Sequence, residues 1–297
     1  MSTIASFFGY ILNYIYNFVQ NYGLSIILFS IFLRLIMLPI TIKQQRSMKK
    51  TQSIQGELNK IQVKYKNNPE LLQQETMALY KRENVSPFSG CLGSILQLVI
   101  FLSVFYLVSR PLTYMKKVDP EIISKYQQEI SESGQASNYQ EIQVIELKSS
   151  EDDRVSLNME FLGLNLSKVP MQNWQEIEVF IIPLLYVFTT FINMKISMDL
   201  SKKKEDDKEK KTKKEVKEDD KEETVEDQLD SMQEMTKSMN YTLPIMSVAI
   251  ALIAPLGLSL YWFVSNSLQL VERIIITKLL DNDKISKKGQ KLLEGNK

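Results

Sequence analysis

Long apolar runs without charge alternate with dense charged runs in this sequence, and this alternation limits what the chain can fold into. The averages conceal the pattern, because 44% hydrophobic residues and a net charge of +1 describe an ordinary chain. The hydrocarbon core of a bilayer is ~30 Å thick and is crossed by ~20 apolar residues in a helix. Several runs reach that length. The sequence therefore predicts an all-α, polytopic membrane protein.

Five apolar runs are predicted to cross the membrane as a helical bundle. These spans are residues 24–42, 88–110, 177–198, 240–254 and 256–278. The last two come from one uncharged stretch, which as a single helix would be ~48 Å long and far exceed the core. Pro255 and Gly257 near its middle predict a tight turn, and hence two spans.

Two helical segments are predicted outside the spans at the N-terminal side. Residues 1–23 are rich in aromatic side chains at helical spacing and predict an amphipathic helix in the membrane interface. They lack a basic segment before the apolar stretch, so no cleaved signal peptide is expected. Residues 43–84 predict a helical hairpin that turns at Pro69. Its arms are expected to meet through the apolar residues Leu58, Ile61, Tyr65, Leu71, Leu72, Met77 and Leu79.

The remaining segments are polar. Residues 111–176 are predicted to form an extracytoplasmic region. Residues 199–238 contain a tract of almost pure Lys, Glu and Asp, which cannot bury enough apolar surface to fold and is predicted to be a disordered loop. Residues 279–297 form a basic tail.

The distribution of Lys and Arg predicts the orientation. The hairpin carries nine basic residues against four acids, whereas residues 110–176 carry seven against eleven. Because basic loops remain on the cytoplasmic side, the hairpin, the charged loop and the tail are predicted to be cytoplasmic. The N-terminus is then outside, which agrees with an odd number of spans.

Arg34 is the residue most suggestive of function. It lies about ten residues from either end of its span, hence ~15 Å from either surface, where snorkelling to water is difficult. A charge at that depth costs at least ~2.5 kcal/mol and usually marks a functional cavity. The predicted spans contain no Asp or Glu in their interiors, because Glu178 and Glu272 are assigned to the ends of the third and fifth spans. The alternative is a structural arginine bonded to backbone carbonyls and hydroxyls.

Other polar residues occur at helical spacing within the spans. Ser30 precedes Arg34 by one turn on the same face. Gln97, Asn193, Tyr261 and Trp262 lie in the second, third and fifth spans. Each alone is more often a helix-packing contact than a site. Together with Arg34, they predict a hydrated groove inside the bundle.

The sequence offers no catalytic set. It has no histidine, so a Ser triad and the commonest metal ligand are both missing. Cys91 is the only cysteine, and nucleotide-binding and zinc-protease motifs are absent. We therefore expect a protein that is not an enzyme and needs no metal or cofactor.

Several segments, in this order along the chain, resemble a known family. Residues 34–41 (RLIMLPIT) lie in the first span, residues 87–92 (PFSGCL) open the second, and residues 255–262 (PLGLSLYW) begin the fifth. The layout is similar to the YidC/Oxa/Alb membrane protein insertases. That resemblance implies a groove open to the cytoplasm and to lipid and closed on the outside.

The resemblance also implies roles for the polar residues. Arg34 would be the groove cation, and Ser30, Gln97, Asn193, Tyr261 and Trp262 would line the groove or contact substrate. Asn193 and Ser30 depart from the usual Gln and Thr of the family but keep polarity.

The implied function is to move hydrophobic segments of newly made proteins into the bacterial plasma membrane, alone or with the Sec translocon. The implied partners are nascent membrane proteins, the ribosome, the Sec translocon and the lipid bilayer. A small-molecule or ion transporter or channel with a polar-lined bundle is the alternative.

Overall fold

A computed structural model describes residues 2–66, 68–84, 89–134, 137–212 and 248–294. The described chain is predominantly helical, which confirms the predicted helical class. It divides into two compact units. The first contains residues 1–36, 96–192 and 243–269, and the second contains residues 37–95, 193–242 and 270–297.

Eight α-helices account for most of the structure over the described residues. They are α1 (Ser2–Val19), α2 (Tyr22–Lys64), α3 (Pro69–Arg82), α4 (Ser89–Ser109), α5 (Pro120–Glu132), α6 (Gln140–Lys148), α7 (Ile181–Thr212) and α8 (Leu256–Glu294). A π-helical turn (Leu112–Lys116) follows α4, and a 3₁₀ helix (Ile177–Phe180) precedes α7. The antiparallel strands β1 (Glu160–Phe161) and β2 (Leu164–Asn165) form a short hairpin.

Two helices in the described part of the chain are long and apolar enough to cross a membrane. They are Tyr22–Ser47, which contains the predicted first span, and Ile177–Ile196, which lies within the predicted third span. Ile95–Ser109 is a shorter apolar helix in the predicted second span. Most of the predicted fourth span, 240–254, lies outside the described residues. The count of five spans therefore stays a prediction.

The helices extend further than predicted. Residues 199–212 continue α7, so the predicted disordered loop is wrong for that segment; residues 213–247 lie outside the described residues. Lys and Glu are good helix formers, and the sequence puts Asp206 four residues before Lys210, a spacing that stabilises a helix. For the same reason α8 continues through most of the basic tail.

The core of the first unit is built around one face of α2. Tyr22, Ile26, Phe29 and Leu33 recur every three or four residues and are all buried. They belong to a single apolar cluster with buried residues of α4 and α8, among them Val104, Leu107, Leu258 and Leu260. The apolar run that predicted a span therefore also supplies the packing face of the helix.

Residues 111–176 form a folded region with its own buried side chains. Ile123 and Ile130 of α5 and Ile142 and Ile145 of α6 join the same apolar cluster. The buried Glu141 accepts hydrogen bonds from the backbone N–H of Thr113 at 2.9 Å and from its hydroxyl at 2.6 Å. This carboxylate joins α6 to the π-helical turn, and its burial raises the pKa of Glu141.

Helix α1 has a packed face and an exposed face. Ala5, Gly9 and Leu12 are buried, and the backbone at Gly9 lies against the carbonyl of Tyr114 in the π-helical turn. The opposite face exposes the aromatic residues Phe7, Tyr10, Tyr14 and Phe18. Both faces are apolar. The exposed face is the surface expected of a helix in the membrane interface. The location of α1 in that interface stays a prediction.

Backbone hydrogen bonds close one end of the first unit. The loop over residues 158–171 bonds to the first residue of α2, to the first residues of α8 and to the segment before Pro255. The four donor–acceptor pairs are Tyr22 N–Asn158 O at 3.0 Å, Leu256 N–Lys168 O at 2.9 Å, Gly257 N–Leu166 O at 2.9 Å and Met171 N–Leu252 O at 3.1 Å.

The second unit has a small core between α2 and α3. Ile54 and Leu58 of α2 are buried with Leu79 of α3. Outside that core, Lys50 donates to the carbonyl of Asn84 at 3.1 Å, and Arg82 pairs with Glu57 at 2.6 Å. Contacts through Leu58, Ile61 and Leu79 agree with the pairing predicted from the sequence. The predicted contacts of Leu71 and Met77 do not, because both side chains are exposed.

Candidate functional site

Arg34 is held against α8. Its side chain is half-buried, and Nη2 donates to the carbonyl oxygen of Ser265 at 3.4 Å. Ser265 follows Tyr261 by one helical turn, so the two residues lie on the same face of α8. Arg34 of the predicted first span therefore lies against the face of α8 that carries Ser265 and Tyr261. A guanidinium donating to a carbonyl is also what the structural alternative for Arg34 expects.

Trp262 connects three helices through aromatic contacts. Its ring stacks on Phe101 of α4 with centroids 6.2 Å apart and an interplanar angle of 14°. It also contacts Tyr186 of α7 at 6.1 Å. The indole is buried, with 6% exposure, and its Nε1–H has no acceptor among the described residues. A buried donor without an acceptor costs about 1–3 kcal/mol, so a polar atom of a ligand or of water would be favoured beside it.

Gln97 is exposed and reaches this cluster through its helix. It lies one turn before Phe101 on α4, so the two side chains share a face. Because Phe101 stacks on Trp262, Gln97 lies one helical turn from the aromatic cluster. The sequence reasoning missed Phe101, although its spacing of four residues from Gln97 could have identified it.

Ser30 is placed differently from its predicted role. It is only 4% exposed, and its hydroxyl donates to the carbonyl of Ile26 in the preceding turn at 2.7 Å. Serine in a membrane helix often makes this bond to its own backbone. Its donor is therefore directed at α2 rather than at a groove.

Asn193 belongs to the second unit, whereas the other predicted site residues belong to the first. Its backbone carbonyl accepts a hydrogen bond from Arg273 of α8 at 3.5 Å. The neighbouring Glu272 is buried, although the sequence reasoning placed it at the end of a span. In the first unit, Asn266 donates to Thr190 at 2.8 Å and joins α8 to α7.

Comparison with protein families identifies the chain. The family described as "60Kd inner membrane protein" matches residues 14–284, which is most of the chain. The chain belongs to this family. Curated members carry the name membrane protein insertase YidC, so the resemblance to the YidC/Oxa/Alb family predicted from the sequence is confirmed.

Several YidC insertases align with this chain over about a third of its length. The protein from Caldanaerobacter subterraneus subsp. tengcongensis is 41% identical over 105 residues, which are 35% of this chain and 51% of that protein. The protein from Clostridium perfringens is 44% identical over 115 residues, 36% of this chain and 48% of that protein. The chain thus spans about half the length of these relatives. The protein from Leptospira interrogans is 44% identical over 97 residues, which are only 16% of its length.

Proposed function

We propose that this protein is a membrane protein insertase of the bacterial plasma membrane, which moves hydrophobic segments of newly made proteins into the bilayer. The names of its relatives support this function, and the contact between Arg34 and Ser265 is the structural observation that carries it. An arginine inside a candidate span, bonded to a second apolar helix, is typical of a functional interior.

In the proposed mechanism, the apolar segment of the client enters lipid while its polar flank passes along the groove. Burial of an apolar segment in lipid releases roughly 25 cal/mol per Å², so no nucleotide is required. The polar flank of the client is the costly part, because it must leave water. Gln97 at the surface and Tyr261 and Trp262 inside would solvate that flank over part of the distance.

Arg34 would favour acidic flanks. Its guanidinium stays charged at any physiological pH, and it is only half-buried. In surroundings of low polarity a positive charge attracts a carboxylate more strongly than it does in water. Asn193 stays a proposed groove residue because the family resemblance implies it, whereas the Ser30 hydroxyl bonds within α2, one turn before Arg34.

We propose the topology and partners that follow from this function. The bundle has five spans, with the N-terminus outside and the hairpin, the charged loop and the C-terminal tail in the cytoplasm. Nascent membrane proteins and lipid are the substrates and surroundings. The basic tail approaches the ribosome through charge, and the protein works alone or beside the Sec translocon.

Site-specific photocrosslinking tests the proposal. A photoreactive amino acid at Gln97 is expected to give adducts with a short nascent membrane protein during its synthesis. The matched control is Leu184, which is exposed on the candidate span Ile177–Ile196 and is not one of the proposed groove residues. Equal adduct yields at the two positions, or none at Gln97, would contradict a groove at this place.

A transporter or channel is the second candidate, because the Asn266–Thr190 bond puts polar groups between two apolar helices. In that case, purified protein in liposomes would carry ions or small solutes and would leave client insertion unchanged. Insertion of a reporter by the same liposomes without solute flux supports the insertase.

A further inference from the structure

The tip of the β1–β2 hairpin carries an exposed leucine in a backbone conformation that leucine disfavours. Leu162 has φ +52° and Gly163 has φ +81°, so both residues of the turn are left-handed. Asn-Gly or Asp-Gly is the usual choice for such a turn. The Leu162 side chain is 87% exposed and therefore contributes little to the core. Turn stability does not explain leucine at this position.

The base of this hairpin is fastened to the start of a candidate span. The side-chain amide of Asn21 donates to the carbonyl of Glu160 at 2.6 Å. The ring of Phe161 lies on Gly23, where a Cβ atom would come within 2.5 Å of it. The first turn of α2 therefore fixes the level of the hairpin relative to the apolar run that begins there.

Chain geometry limits how far the tip can be from the membrane. Leu162 is two residues beyond Glu160, so its Cα lies within ~7 Å of that residue. The headgroup layer on each side of a bilayer is itself roughly 5–7 Å thick. The tip is therefore at headgroup depth or close to it. The helix Ile177–Ile196 begins at a similar boundary. Ile177 at its start and Trp174 just before it are 82% and 68% exposed. Tryptophan is enriched at this level of a membrane.

We propose that Leu162 inserts into the lipid leaflet at this end of the first unit and, with Trp174, fixes its depth in the bilayer. The ligand is the boundary between the glycerol and acyl regions of phospholipids. The exposed carboxylate of Glu160 remains among the headgroups, so only the tip enters. This role depends on membrane residence and does not require the proposed insertase function.

Depth measurement by spin labelling tests the assignment. In a Cys91→Ser background, Leu162→Cys carries a nitroxide and the protein is reconstituted into phospholipid liposomes without any client. Oxygen concentrates in the bilayer and a nickel chelate stays in water. We expect the ratio of oxygen to nickel accessibility to be several-fold higher at position 162 than at the matched control, Glu132→Cys, on an exposed α5 residue.

A ratio at position 162 equal to that at position 132 would overturn the proposal. Folding of each variant is checked before reconstitution by its melting temperature in detergent, which we expect to be unchanged at position 162 because the Leu162 side chain is exposed. If the protein does not insert reporter clients but the nitroxide at position 162 still lies in the bilayer, only the proposed insertase function is contradicted.

Discussion

The backbone of Gly9 lies so close to Tyr114 that a Cβ atom on residue 9 would come within 1.8 Å of the Tyr114 carbonyl oxygen. Backbone atoms on both sides leave no flexible group to move aside. We expect Gly9→Ala to separate α1 from the π-helical turn and to lower the free energy of unfolding by about 2 kcal/mol, more than alanine returns through helix propensity. Thermal unfolding of purified protein in detergent measures the effect.

Gly56 provides the matched control for this substitution. It is also inside a helix, but a Cβ atom there meets nothing within 4 Å. Gly56→Ala is expected to stabilise the protein by up to about 1 kcal/mol through helix propensity alone. Equal effects at the two positions would show that the close approach at Gly9 can relax.

The buried carboxyl of Glu141 makes stability depend on pH. Burial raises the pKa of Glu141 above its ordinary value of 4.5, although the hydrogen bonds from Thr113 oppose the shift. The folded state then binds the proton more tightly than the unfolded chain, so this group's contribution to stability falls as pH rises from 4.5 through the raised pKa. Glu141→Gln cannot ionise. Its melting temperature relative to the native protein is expected to increase between pH 5 and pH 8.

Glu146 lies on the same helix with an exposed carboxylate. Glu146→Gln changes the net charge equally, and its melting profile is expected to run parallel to that of the native protein across the same pH range. A parallel profile for Glu141→Gln as well would mean that the buried carboxyl does not control this dependence.

Cysteine labelling tests the orientation. In a Cys91→Ser background, Ser137→Cys should react with an impermeant thiol reagent added outside intact cells. Ser53→Cys should react only after the cells are permeabilised, because the basic hairpin is predicted to be cytoplasmic. Ser53 is exposed and Ser137 half-buried, so both positions are open to the reagent. The reversed pattern would exclude the proposed topology.

Three substitutions at Arg34 separate an electrostatic role from a structural one. Arg34→Lys keeps the charge and should retain much of the insertion activity, although the forked geometry is lost. Arg34→Ala should impair clients with acidic flanks most, and Arg34→Glu should be worse still because attraction becomes repulsion. Paired reporters that differ only in flank charge measure the difference.

Arg154 is the control for net charge, because it is exposed and bonded to Asp152 in the region after α6. Arg154→Ala should leave both reporters unaffected. Equal failure of all three Arg34 variants on every reporter would instead mean that the bond to Ser265 is structural. Normal insertion by all three would remove electrostatics from the mechanism.

The position of Arg34 could be predicted, but its contact could not. A charge within an apolar run is visible in the sequence, whereas Ser265 lies 231 residues away and is selected only by packing. For Ser30, the helix face could be predicted but the direction of its hydroxyl could not. Spacing alone puts it on the face of Arg34, yet its hydroxyl bonds to its own helix, a choice that depends on what surrounds it.

The folded region between α4 and α7 was also beyond the sequence reasoning. Only an extracytoplasmic location was predicted for residues 111–176, whose composition is polar and whose helices α5 and α6 are short. A few apolar residues are sufficient to fold this region, because Ile123 and Ile145 join the apolar cluster of α2, α4 and α8 rather than forming a separate core.

The closed end of the first unit depends on backbone atoms at both ends of each bond. Side chains at Tyr22, Met171, Leu256 and Gly257 can therefore drift over evolutionary time without removing the closure, provided that the packing tolerates them. Proline is the exception, since it lacks the donating N–H. In an alignment of related sequences, this closure would be visible only as the rarity of proline at these four positions.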